Sequence, residues 1–309
     1  MILIAILDHY LTMRNKFVLL FVLGLACISA GNKPLLNYDF KDMVVVNGST
    51  FFRGLDSARL QNDIDRFNVS SAFFSQEYPA IRMTVPSFYM DKYEVTNADF
   101  KKFIEANPKW SKSNIPDSLH DGNYLKDWNG DKYPKTKANY PVVYVCWYAA
   151  NAYARWKGKR LPMEVERESA AKGLIDKTYE FPWGNADADI SKANYSQSNI
   201  GHAVATGSYP PNSLGLYDMC GNVYELCMDL WRVNDYKMRE DLIKHKITAH
   251  DRITSFGSQV DRSKVAIRGG SWNSPAVNLR TTYRESYPVT SCTAYVGFRC
   301  AATIINVNK

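Results

Sequence analysis

Two short segments near the end of this 309-residue chain constrain its fold most: Arg268-Gly269-Gly270-Ser271-Trp272 and Gly297-Phe298-Arg299-Cys300-Ala301. Paired glycines ahead of Ser-Trp allow a backbone turn that side-chain-bearing residues adopt only at a cost. Taken alone they describe a tight turn between two strands. Upstream, short elements alternate with long connections. Residues 42–48 predict a strand running into a turn, and 83–85 and 87–90 are strand-like. Thr96 followed by Asp99 predicts a capped helix start; Phe100, Phe103 and Ile104 share one face, and Asn107-Pro108 ends the helix. Residues 140–145 read as a strand. Helices are expected over 147–156, closed by Gly158, and 163–172, closed by Gly173. Residues 55–75 and 232–263 are polar without a clear period and read as inserted loops. Residues 110–139 read as a long surface loop. Within it Asp127, Asn129 and Asp131 alternate as in half of an EF-hand, but Lys132 replaces the required glycine and no glutamate closes the set.

Further motifs lie between these elements: Glu94-Val95-Thr96-Asn97, Lys159-Arg160-Leu161-Pro162, Phe181-Pro182-Trp183-Gly184-Asn185, Ala193-Asn194-Tyr195, and the run from Gly215 to Leu226. Together with the two glycine segments they resemble the signature of the formylglycine-generating enzyme family, the sulfatase-modifying factors and their bacterial relatives. The resemblance runs from Asp42 to Thr303. It implies an α+β fold of the C-type-lectin-like kind, poor in regular secondary structure. Two departures stand out. Met163 occupies the place of a capping Ser or Thr, and Arg167 replaces a tryptophan between two glutamates, here Glu166 and Glu168.

The resemblance also implies where chemistry would sit. Catalytic members oxidise a substrate cysteine with a copper ion held by two cysteines, and thiolates suit Cu(I). Those positions are Ser274 and Leu279 here. Leucine cannot ligate a metal and a serine hydroxyl is a poor soft-metal ligand, so the resemblance implies a lost catalytic site and no copper. Calcium is the implied cofactor. Its matching ligands are the Asp218 and Glu225 side chains with the Gly221 and Val223 carbonyls, and hard cations take such oxygen sets. A second set would start from Asn194 and the Tyr195 carbonyl, with no aspartate to complete it in 196–209. A disulfide of the vertebrate members would pair Cys300 with position 154, which is alanine here.

The N-terminus predicts an export signal over residues 1–30. Arg14 and Lys16 precede an apolar run over 17–26 that is too short to span a bilayer. Met13 is a plausible start. The mature chain is expected to begin at Gly31, or at Cys27 as a lipidated residue that anchors without spanning. Residues 31–41 read as a linker, and 42–305 as the domain. Five cysteines remain after Cys27: Cys146, Cys220, Cys227, Cys292 and Cys300. Export permits disulfides, but sequence leaves the pairing open.

The net charge of +7 is spread along the chain without a basic run, which gives no nucleic-acid footprint. His245 and His250 read as surface residues. Nucleotide loops and nucleophile elbows are missing from the sequence. The expected function is a non-catalytic binding or envelope scaffolding protein. The span from Leu279-Arg280-Thr281 to Arg299 resembles gliding-motility and type IX secretion lipoproteins. The expected partners are envelope proteins or a surface ligand, in the periplasm or at the outer membrane. Two other readings stay open: an oxidoreductase of the formylglycine-generating type acting on protein cysteine, and a lectin-like surface receptor.

Overall fold

The computed structural model describes residues 40–173, 179–244 and 260–304. The signal, Cys27, His245 and His250 lie outside them. Strands and helices mix, as an α+β domain requires. Strand β1 (Met43–Val46) pairs antiparallel with β4 (Phe88–Asp91), which also pairs with β9 (Ala301–Thr303). The two ends of the domain therefore share one sheet. Strands β2 (Ser49–Arg53) and β3 (Ile81–Val85) form a separate antiparallel pair. A four-stranded sheet runs β7-β6-β5-β8, from β5 (Tyr224–Arg232), β6 (Val260–Arg268), β7 (Arg284–Pro288) and β8 (Val296–Gly297). The β5–β8 contact is parallel. It sets Glu225 opposite Gly297, while the antiparallel β5–β6 pairing sets Glu225 opposite Arg268, so Glu225 sits between the two signature segments.

Residues 55–75 are not a loop. They hold helix α1 (Ser57–Phe67) and a 3-10 turn at Ser71–Phe74. Asp56 caps α1 by accepting from the Arg59 amide at 2.8 Å. Leu60, Ile64 and Phe67 stand at i, i+4 and i+7, and pack with Leu55, Phe74 and Val277. That stripe is three residues long in a polar segment, which hides its period. Residues 232–263 are likewise more than a loop. Strand β5 runs to Arg232, α5 (Asp235–Lys244) follows, and β6 begins at Val260.

Helix α2 (Asn97–Ala106) starts as expected, with Thr96 Oγ1 accepting from the Asp99 amide at 3.2 Å. Its Phe100, Phe103 and Ile104 enter the main core beside Tyr153 and Phe298. Helix α3 (Trp147–Trp156) supplies Ala149, Ala150, Tyr153 and Ala154 to the same core. The expected strand at 140–145 is extended chain with a single bridge, Thr96 to Pro141. Tyr144 turns to φ +57° and breaks any ladder there. Asp131, from the half EF-hand pattern, accepts from the Lys112 amide at 3.0 Å.

Helix α4 (Glu164–Lys172) is buried along nearly its whole length despite its charges. Its acids are paired. Glu164 meets Arg53 at 2.9 Å and Arg284 at 2.6 Å, and Glu166 takes a fork from Arg160 at 2.7 Å. Glu168 accepts from Lys172 at 2.8 Å, from Tyr236 at 3.1 Å and from Arg268. Burial favours protonation of Glu164, but Arg284, Arg53 and Arg268 outweigh it and hold the carboxyl well below its usual range.

Candidate functional site

The glycine turn after β6 is tight because neighbours crowd it. Gly269 and Gly270 adopt φ +97° and +70°. A Cβ on Gly270 would sit 2.8 Å from Leu279 Cδ2, and one on Gly269 would sit 3.0 Å from Arg167 Nη2. The turn then closes on its own serines. The Ser271 amide donates to Ser274 Oγ at 2.9 Å, and the two hydroxyls lie 3.2 Å apart. Ser274 is 3% exposed, and its carbonyl accepts from the Ser196 amide at 3.0 Å. Leu279 is 0% exposed, packed with Phe181, Ala193, Tyr195 and Cys220. Both positions implied for copper thiolates are therefore filled by a hydroxyl and a hydrocarbon, in packed surroundings. Beside them Asn278 Nδ2 donates to the Tyr224 hydroxyl at 3.0 Å. Burial pushes that phenol up to about 12.

The loop of Asp218 to Glu225 sits directly under this turn. Asn222, at φ +60°, joins its surroundings. Its amide donates to the Asn194 carbonyl at 2.8 Å, and its carbonyl accepts from the Trp272 amide at 2.9 Å. Its Nδ2 reaches both oxygens of Glu94, at 3.0 and 3.2 Å. The structure thus brings the Glu94 motif, the Asn194 motif and the glycine turn to one residue.

The carboxylate of Glu225 is committed to two arginines. Oε1 accepts from Arg167 Nη2 at 2.9 Å and Arg299 Nη2 at 2.8 Å; Oε2 accepts from both Nε atoms at 2.8 Å. Burial favours its protonated form, but Arg167 and Arg299 outweigh it and hold it below the usual carboxylate range. Arg167 also donates to the Met219 carbonyl at 2.7 Å, and Arg299 to the Tyr217 carbonyl at 2.7 Å. Asp218 accepts from the Gly207 amide at 2.6 Å. Burial pushes Asp218 up to about 6, and burial with the Asp218 charge pushes Glu94 well above its ordinary value.

These residues do not fit calcium as the sequence implied. A calcium ion held by Asp218, Gly221, Val223 and Glu225 needs free carboxylate oxygen, and hard cations take six to eight such donors. Both Glu225 oxygens are instead held by fork hydrogen bonds, the strongest class available to a carboxylate. Arg167, placed where the resemblance leads one to expect tryptophan, puts a fixed cation against that carboxylate. The second set is no better supplied. Asn194 Oδ1 is buried without a hydrogen-bond partner, which suits a cation. The Tyr195 carbonyl, however, accepts from the Ser198 amide at 2.9 Å, and 196–209 contains neither Asp nor Glu. Among the described residues no group of three or more His, Cys, Asp and Glu is arranged to hold a metal.

Sequence reasoning missed the guanidinium pairing. The signal is present in the sequence as Arg167 in place of a tryptophan. It also missed Arg280, next to Leu279. Arg280 forks onto Glu77 at 2.7 and 2.9 Å and reaches Asp63 of α1 at 3.3 Å.

Comparison with known proteins agrees with this architecture. Residues 32–304 match the sulfatase-modifying factor enzyme 1-like domain. The serine/threonine-protein kinase pkn1 of Chlamydia pneumoniae is 33% identical over 267 residues, which cover 85% of this chain and 38% of that protein. The chain thus spans little more than a third of that relative. The formylglycine-generating enzyme of Mus musculus is 28% identical over 315 residues, covering 89% of this chain and 78% of the enzyme. Among solved structures, PvdO from Pseudomonas aeruginosa superposes with a TM-score of 0.61 at 23% identity, covering 85% of this chain and 94% of PvdO, a likeness of fold. The shared motifs, the matched span and the common fold place this chain in the family of sulfatase-modifying factor enzyme 1-like domains.

Proposed function

We propose that this chain is a non-catalytic member of its family: an exported binding or scaffolding protein of the cell envelope, of the gliding-motility and type IX secretion lipoprotein kind. The observation that carries the non-catalytic reading is Leu279, a fully buried hydrocarbon at the place of a copper thiolate. Ser274 at the partner position is held in the turn by the Ser271 amide. Support for export is the basic-then-apolar N-terminus, and support for the lipoprotein branch is Cys27 behind Ala26. In this reading the buried charges serve rigidity, and the exposed loops around the glycine turn serve recognition.

The test is turnover of a sulfatase-type cysteine peptide by purified, copper-loaded protein in oxygen, read by mass spectrometry. The expected result is an unchanged peptide. Conversion to formylglycine by the wild type overturns the reading. Mass analysis of the N-terminus from cells checks export: the expected start is Cys27, acylated, or Gly31, and an intact cytoplasmic chain contradicts it.

A further inference from the structure

The chain packs two cysteines side by side that the family resemblance does not account for. The segment before α3 and residues 289–293 run alongside each other. The Tyr144 amide donates to the Thr293 carbonyl at 2.9 Å, and the Trp147 amide to the Val289 carbonyl at 3.0 Å. Cys146 lies between the first pair of donors, and Cys292 between the acceptors. Both side chains are buried in the same core, near enough that each thiol shifts the ionisation of the other. Cys220, Cys227 and Cys300 are buried as well, and all five are free thiols.

We propose that Cys146 and Cys292 are a redox-linked pair that closes to a disulfide and pins residues 289–295 beside the glycine turn. Those residues form a wall of the site. The Ala294 carbonyl accepts from Trp272 Nε1 at 3.1 Å, the Tyr295 carbonyl from the Tyr224 amide at 2.9 Å, and the Thr293 and Tyr287 hydroxyls meet at 3.0 Å. The pair is unequal in a way that suits exchange. Cys146 is the N-cap of α3. The Cys292 thiol, and then the Ala149 and Tyr148 amides, favour its thiolate, while Cys292 is pushed up by the same contact and by burial. The oxidant is a small or protein disulfide. One thiolate of the pair attacks a sulfur of that disulfide, releasing one thiol and forming a mixed disulfide. The second thiolate attacks the cysteine sulfur and releases the other thiol. The two cysteines give up two electrons and two protons, and the oxidant ends as two thiols.

The test uses the reduced full-length chain and oxidised glutathione as the disulfide. After incubation the protein is denatured, alkylated and digested without reduction. The expected result is a Cys146–Cys292 crosslinked peptide, and two fewer alkylated cysteines than in the reduced chain. The crosslink disappears in Cys146→Ser. Hydrogen exchange at residues 289–295 slows and the melting temperature rises by several degrees in the oxidised wild type, as expected of a long closed loop, and neither changes in Cys146→Ser. Should Cys146→Ser fold poorly, Cys292→Ser, which removes the other sulfur of the pair, serves as the control. Full alkylation of the oxidant-treated wild type overturns the proposal, as does a crosslink through any other cysteine.

Discussion

Arg167 and Glu225 meet through two parallel hydrogen bonds, Nε to Oε2 at 2.8 Å and Nη2 to Oε1 at 2.9 Å, in an interior where neither is exposed. Removing one partner of such a buried pair strands the other. Arg167→Met is therefore expected to cost about 3 kcal/mol, the lower end for a broken buried pair because Arg299 still holds Glu225. Urea midpoints measure it. Glu225 has a lowered folded pKa, so its stabilisation is present above its ordinary 4.5 and fades as pH falls through the lower folded value. The variant is expected to show a shallower acid-side loss than the wild type.

The same pairing predicts the response to metal removal. A chelator is expected to leave the melting temperature unchanged, because Glu225 is already neutralised by guanidinium. A ligand bound only to the folded state would stabilise it by mass action. A fall of several degrees in the wild type, restored by calcium, would show that the loop binds the ion after all.

Asp218 behaves in the opposite sense to Glu225. Its folded pKa is raised from 3.8 to about 6 by burial, so the stability it contributes is complete below 3.8 and is lost as pH rises through 6. Asp218→Asn keeps an acceptor for the Gly207 amide and tolerates φ +51°, a region where Asn is at home. The variant is expected to be roughly 2–3 kcal/mol more stable than the wild type at pH 8, and nearly equal at pH 4. Paired denaturant curves at the two pH values decide it.

Leu279→Ala is expected to cost roughly 2–5 kcal/mol, because the pocket beside Gly270 has little freedom to collapse. The double variant Ser274→Cys, Leu279→Cys probes the chemistry. Turnover of the cysteine peptide by that variant alone would identify a site lost through two substitutions. Inactivity of a folded double variant would place further losses elsewhere in the site.

The elements that could be read from sequence are those whose signal is local. The Thr96 cap, the Phe100-Phe103-Ile104 face and the glycine end of α4 need only neighbours along the chain, and the structure has them. Helix α1 was hidden because its apolar stripe is three residues in a polar stretch, visible as a core only once Val277 arrives from 213 residues beyond Ile64. The site divides in the same way. Ser274 and Leu279 could be located from the resemblance, counted onward from the glycine turn. The commitment of Glu225 could not, since it depends on Arg167 from α4 and Arg299 from the chain end. Residues that the resemblance implies as ion ligands are held instead by partners that a motif does not reveal.

Helix α4 also bears on how this sequence can change over time. Glu164 answers to Arg53, Arg268 and Arg284, and Glu168 to Lys172, Arg268 and Tyr236, residues drawn from five separate stretches of chain. A single charge lost here leaves several opposite charges without a counterweight. Variation in this interior must therefore travel in groups, an acid and its bases together, while exposed positions of the glycine turn such as Asn273 and Pro275 are free to diverge one residue at a time. The chain is built so that its surface can vary without its interior being renegotiated.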